Sequence, residues 1–113
     1  NFNKQLLIAT LATMGDIHLS SKDYPNAALF YLYALKTANY TRYFNFQSKN
    51  LIKLSKCLSK MMNRRLAMNC LLKALEFALN YDDYGEELRV YDNMSVLYLE
   101  GEDTAMARYM HNR

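Results

Sequence analysis

The chain has 113 residues, a net charge of +3 and a hydrophobic content of 51%, which suits a single domain that can bury a core. No apolar run reaches the ~18 residues that a membrane-spanning helix needs, and no stretch has the pattern of a secretory signal. Cys57 and Cys70 have no histidine nearby and fit no metal-ligand spacing. Composition therefore excludes a membrane span and a cysteine metal site, and predicts two reduced thiols in a cytoplasmic protein.

The chain contains few helix breakers, with only three glycines and one proline, so we expect it to be all-helical. The apolar spacing predicts six helices, over residues of about 4–20, 24–40, 44–60, 64–80, 84–99 and 103–112. The second, fourth and sixth of these helices follow the N-cap residues Asp23, Asn63 and Asp103. Pro25 falls in the first turn of the second helix, where its missing N–H costs little.

The sequence repeats itself at a shift of 40 residues, with no gap across three copies. Leu11 matches Leu51 and then Tyr91, so large apolar positions stay large. Small residues also stay small, at positions where two helices would approach closely. These predicted packing positions are Gly15, Ala27, Ala34, Ser55, Ala67, Ala74, Ser95 and Ala107. Each copy is therefore predicted to be a pair of closely packed helices.

This pattern resembles the tetratricopeptide repeat (TPR) family. The first copy carries the resemblance through Leu11, Met14, Gly15, His18, Asp23, Tyr24, Ala27, Tyr31, Ala34 and Leu35. The resemblance implies an all-α, right-handed solenoid of three helix hairpins, or about six antiparallel helices. The repeats would span about 8–47, 48–87 and 88–113 within a longer protein that has flanking repeats. The period of 40 residues exceeds the 34 of the standard repeat.

The third copy is the weakest match. It matches through Tyr91, Met94, Ser95, Tyr98, Asp103 and Ala107. The stretch GEDTAMARYM can instead place Ala105 and Tyr109 in the alanine and aromatic positions, at the cost of a gap. The stretch from Val90 to Arg113 resembles repeats of ciliate and other protist ciliary proteins.

Few residues in this sequence suggest catalysis, metal binding or nucleotide binding. His18 occupies a position held by Leu58 and Tyr98 in the other copies, which indicates a packed histidine. The acidic residues at 82–83 and 86–87 suit the start of a helix. There is no glycine-rich phosphate loop and no nucleotide fingerprint. We therefore predict no enzyme, no catalytic residue, no bound metal and no cofactor.

Charge is distributed unevenly, with +1 over residues 1–40, +7 over 41–80 and −5 over 81–113. Four lysines of the middle copy, Lys49, Lys53, Lys56 and Lys60, fall on one stripe of one helix. In the TPR family, the first helix of each repeat lines a concave groove. The resemblance therefore places Lys49, Ile52, Lys53, Lys56, Lys60, Arg89 and Asn93 in a partner-binding groove. An acidic protein segment is the expected ligand, and a solvated lysine face is the alternative.

Two functions remain open at this point. The first is a protein-protein interaction scaffold or adaptor in a multi-protein assembly. That assembly would be cytoplasmic and could belong to the cytoskeleton or to a ciliary axoneme. The second is a peptide receptor or chaperone that uses the groove, as in quorum-sensing regulators and secretion chaperones. The chaperone-binding members of the family hold a carboxylate with Lys and Asn, where this chain has Ala12 and Asp16. Nucleic-acid binding is disfavoured because the last copy is strongly acidic.

Overall fold

The computed structural model describes residues 2–39 and 44–111, and for Phe2, Asn39, Phe44, Asn45 and residues 103–107 it describes the backbone alone. These residues form five helices: α1 (Phe2–Ser20), α2 (Tyr24–Asn39), α3 (Phe44–Lys60), α4 (Arg64–Asn80) and α5 (Tyr84–His111). No strand occurs in either described range. The predicted all-α fold class is confirmed. In these ranges, no helix combines the length and the apolar character that crossing a membrane requires.

Each helix packs against the next one along the chain, so that α1 pairs with α2, α2 with α3, α3 with α4, and α4 with α5. The helices α1, α3 and α5 also contact one another in that order. The result is an elongated stack of 58 × 31 × 18 Å. This is the layout of stacked helix hairpins, in which each repeat buries its apolar face against a neighbour.

Three turns of the same kind join α1 to α2, α3 to α4, and α4 to α5. Each contains one residue with positive φ, at Lys22 (61°), Met62 (64°) and Asp82 (51°). In the first turn, the N–H of Asp23 donates to the carbonyl of His18 at 2.8 Å, and the other two turns repeat this bond. This is the Schellman motif, which satisfies carbonyls at a helix end.

The residue that follows each left-handed position caps the next helix. The Oδ1 atom of Asn63 accepts from the N–H of Leu66 at 3.3 Å, and that of Asp83 accepts from the N–H of Glu86 at 3.1 Å. Asp23 also faces the start of its helix, where the side chain of Asn26 donates to it at 2.7 Å. The cap predicted at Asp103 lies outside the described side chains.

The small residues lie where the hairpin helices meet. Ala27, Ala34, Ala67 and Ala74 are fully buried, and Ser55 is nearly so. At Gly15, an added Cβ would lie 2.7 Å from the Tyr31 ring of the facing helix. The approach of α1 to α2 therefore depends on glycine at this position.

Two of the predicted packing positions do not share this environment. Ser95 is exposed, because no helix of the described chain covers its side of α5. Ala107 lies outside the described side chains.

The structure differs from the sequence prediction at the last hairpin. The helices predicted at 84–99 and 103–112 form one continuous helix, α5. A turn here would place Glu102 at the left-handed position held by Lys22 and Met62 in the earlier hairpins. Continuing the helix preserves the backbone hydrogen bonds without a left-handed residue. The chain therefore forms two closed hairpins and a long fifth helix.

We predict that Gly15→Ala destabilises the fold by about 1–3 kcal/mol, because the new Cβ overlaps the Tyr31 ring. Gly101→Ala is the matched control, since its Cβ would make ordinary contacts of 3.7 Å with Arg64. That variant should gain about 0.5–1 kcal/mol from helix propensity. Urea unfolding followed by circular dichroism measures both. Equal effects of the two variants would contradict the close packing.

We also predict that the Cys57 thiol is inert in the folded chain. Cys57 is fully buried, and burial raises the pKa of its thiol to about 11. Because an unfolded thiol titrates near 8.5, this group favours the folded state below about pH 8.5, and its contribution disappears as the pH rises towards 11. In a Cys70→Ala background, alkylation at pH 8 should be far faster in urea than in buffer. Equal rates would show that Cys57 is accessible.

Candidate protein-binding groove

The exposed sides of α1, α3 and α5 together form one surface, here called the groove face. An ion pair and two side-chain hydrogen bonds join its three helices. The Nζ atom of Lys53 lies 3.0 Å from Oδ1 of Asp16, and this pair connects α3 to α1. Ser48 donates to Glu86 at 2.9 Å, and Ser59 donates to Glu100 at 2.7 Å. These polar contacts join the helices in addition to the apolar cluster that Ile52 of α3 shares with Val90 and Leu97 of α5.

A cavity of about 430 Å³ opens on the groove face near the C-terminal end of α3. We call it the lysine cavity, because Lys22, Lys56 and Lys60 all line it. Glu100 supplies a carboxylate in its wall, and that group already accepts the Ser59 hydrogen bond. In the described part of the chain, none of the three lysines has a carboxylate within 4 Å. The cavity therefore has an excess of positive charge.

The inner surface of the lysine cavity is apolar. Leu71 and Leu97 are buried at its base, and Leu19 and Tyr24 contribute half-buried side chains. Val96 is 55% exposed and completes this surface. A ligand that pairs a carboxylate with an aliphatic side chain would match both the rim and the base.

Half-buried Asn93 also lines the lysine cavity, and its Nδ2 donates to the backbone oxygen of Arg89 at 2.8 Å. Its amide nitrogen is therefore oriented by its own helix. This orientation makes Asn93 a fixed polar group on the wall.

Lys53 has a structural partner inside the chain. Its ammonium lies beside Asp16, which also accepts a 2.5 Å hydrogen bond from the Tyr31 hydroxyl. The Lys53 ammonium is 5.9 Å from the centre of the Tyr31 ring. Burial and the Asp16 carboxylate both raise the pKa of Tyr31, so its hydroxyl stays protonated and donates. This network joins α1, α2 and α3, and it neutralises one lysine of the stripe.

A second cavity, of about 330 Å³, lies at the opposite end of α3. Lys49 and Arg89 line it together with the carboxylates of Asp83 and Glu86. Arg89 pairs with Glu86 at 2.5 Å. The positive charge of Lys49 and Arg89 is therefore balanced locally, unlike that of the lysine cavity.

The predicted groove residues thus divide into four groups, one of which is Lys53 in its network with Asp16 and Tyr31. Lys56, Lys60 and Asn93 meet in the lysine cavity, whereas Lys49 and Arg89 lie in the second cavity. Ile52 was placed in the groove by repeat position, but it is 4% exposed and packs in the core. It lies there because α3 is covered by both α4 and α5 on that side.

Lys22 is not among the predicted groove residues, because it lies outside the first helix of its repeat. It stands in the turn after α1, and the Schellman geometry of that turn brings it to the lysine cavity. The turn after α1 recurs after α3, with Met62 at the position of Lys22, and this repetition is the sequence signal that could have pointed to the turn.

The remaining polar residues have local roles. Nδ1 of His18 lies 3.2 Å from the Asp23 carboxylate, and its ring stacks on Phe30 at 5.2 Å. The hydrogen bond from Asn26 is the main cause that lowers the pKa of Asp23. Among the described residues, no group of histidine, cysteine and carboxylate side chains is arranged to hold a metal ion.

No protein-family model matches the chain, and no curated protein resembles it in sequence. Its structure is similar to the crystal structure of the TPR domain of Arabidopsis FLU, with a TM-score of 0.69 and 19% identity. The match covers 96% of this chain and 98% of the other. This likeness shows that the chain has a TPR-like fold, as the sequence resemblance predicted.

We predict that Asp16→Ala destabilises the chain by about 1–3 kcal/mol, since it leaves the Tyr31 hydroxyl without its acceptor. Lys53→Met keeps the aliphatic stem and should cost at most about 1 kcal/mol, because the ion pair is partly exposed. Urea unfolding of both variants measures the two losses in the free energy of unfolding. A larger cost for Lys53→Met would mean that the ion pair, not the tyrosine bond, holds the three helices.

Proposed function

We propose that this chain is a protein-protein interaction module that holds an acidic, partly apolar segment of another protein in the lysine cavity. The observation that carries the proposal is the excess of three ammonium groups over one carboxylate around an apolar base. The TPR-like fold supports it, because stacked hairpins present an extended surface of this kind to other chains.

The charge arrangement favours a segment over a single small ion. Lys56 and Lys60 are one turn apart on α3, and Lys22 approaches from the turn after α1. Acidic side chains at successive positions of an extended segment can each meet one of these ammonium groups. Aliphatic side chains between them can then contact Val96 and Leu97.

The setting we propose is a scaffold or adaptor role within a multi-protein assembly. The exposed apolar surface of α1, including Leu6, Leu7 and Ile17, is consistent with further contacts in such an assembly. A cytoplasmic assembly of the cytoskeletal or ciliary kind is the setting that the sequence resemblance favours.

We predict that a short fluorescent peptide of Glu, Asp and Leu binds the chain, and that raising the salt concentration weakens the complex. The double variant Lys56→Glu with Lys60→Glu should lose about tenfold or more in affinity, because two attractions become repulsions. Fluorescence anisotropy measures the dissociation constant.

The matched control is Lys36→Glu with Lys73→Glu. These lysines line the groove between α2 and α4, and the substitutions change the net charge by the same amount. The control should lose much less affinity than the cavity variant. Equal losses would show that net charge alone attracts the peptide, and absence of binding to the unsubstituted chain would refute the proposal.

A further inference from the structure

At the end of the stack, one side of α1 is exposed, although the matching side of each later repeat is covered by a helix. In α3 this side packs against α2, and its residues are at most 4% exposed: Gln47, Asn50, Leu54 and Cys57. In α5 it packs against α4, where Val90 and Leu97 are buried. At a shift of 40 residues, the counterparts in α1 are all exposed: Leu7, Thr10, Met14 and Ile17.

These exposed residues belong to a longer stripe, here called the α1 stripe. Its members recur at alternating intervals of four and three residues: Asn3, Leu7, Thr10, Met14, Ile17 and Ser21. At 3.6 residues per turn, the six positions span about 80° of the helix circumference, so they lie on one face. This spacing is that of the narrow seam through which two helices pair in a coiled coil.

The polar members of the α1 stripe can be buried without losing hydrogen bonds. The hydroxyl of Thr10 donates to the carbonyl of Leu6 at 2.8 Å, and that of Ser21 donates to the carbonyl of Ile17 at 3.2 Å. Both bonds lie within the chain, so they persist when a partner excludes water. None of the six residues is charged, so two copies of the stripe do not repel each other.

The α1 stripe is also symmetric about its own midpoint, because its members lie at equal distances on either side of residue 12. In two antiparallel α1 helices centred there, Leu7 of each copy faces Ile17 of the other, and Thr10 faces Met14. A two-fold contact makes each of these pairs twice. The antiparallel direction also holds the two Lys4 residues about 24 Å apart along the axis, whereas a parallel pair would place them side by side.

We propose that two copies of this chain associate through the α1 stripe, in an antiparallel contact centred at residue 12. A second copy fits this surface because the stripe has the symmetry, the spacing and the absence of charge that self-pairing needs. One helix face per copy is a small contact, so the dimer should be in reversible equilibrium with the monomer. The proposal does not rest on the lysine cavity, which none of the stripe residues lines.

Sedimentation equilibrium of the unsubstituted chain over a range of concentrations tests the association. We expect a reversible dimer. A monomer at every concentration would overturn the proposal and leave the α1 stripe to a helix of another protein.

A matched pair of variants tests the surface. Ile17→Glu should weaken dimerisation by about tenfold or more, because it buries an unpaired carboxylate in the contact. Leu88→Glu is the control, since Leu88 is 65% exposed against 60% for Ile17 and lies on α5, which does not contact α1. It should leave dimerisation unchanged, and circular dichroism checks that both variants fold. Equal losses in the two variants would contradict the assignment to α1.

Cysteine cross-linking tests the register. Leu7→Cys and Ile17→Cys are made as separate chains in a Cys70→Ala background, and an equal mixture should form a disulfide-linked dimer much faster than either chain alone. Each chain alone is a control, because the two residues at position 7, like the two at position 17, lie about 15 Å apart along the axis in this arrangement. That separation is too large for a disulfide. Rapid cross-linking of the Leu7→Cys chain alone would indicate a parallel pair, and no faster bond in the mixture would contradict the register.

Discussion

The close contact between the two helices of a hairpin is the constraint on which the rest of this structure depends. Gly15 admits the Tyr31 ring, and fully buried alanines line the same interfaces. Because Tyr31 is held this deeply, its hydroxyl reaches Asp16, and Asp16 in turn holds Lys53. One packing contact therefore positions a polar network across three helices, and this network fixes how α1 lies beside α3 on the groove face.

The same network decides where positive charge remains available. A four-lysine stripe on α3 would be expected to attract acidic ligands along its whole length. In the folded chain, Asp16 neutralises Lys53, and the carboxylates around the second cavity offset Lys49. The attraction is thereby confined to the C-terminal end of α3, where the Schellman turn adds Lys22. Local structure has moved the candidate site by about one helical turn from the centre of the stripe.

The helix pairs, their caps and the 40-residue register could be predicted from sequence, because each rests on local residue chemistry. The four buried alanines and Asn63 illustrate this. Three features could not be predicted in this way. Ile52 is buried because α4 and α5 cover it. Lys53 pairs with Asp16, which is 37 residues away in the sequence. The helix α5 continues through Glu102, where the repeat predicts a turn. Each of these features depends on how the helices are arranged around it, and an alignment of the repeats contains no information on that arrangement.

The proposed function depends on the lysine cavity as the surface that binds the partner segment. The most direct test is an NMR titration of the isotopically labelled chain with the acidic, leucine-containing peptide. We expect the amide shifts to concentrate at residues that line the lysine cavity, namely Ser59, Lys60, Asn93 and Val96. Shifts that concentrate instead at Leu29, Leu32 and Tyr33, which line the groove between α2 and α4, would contradict it and would place binding on the opposite face.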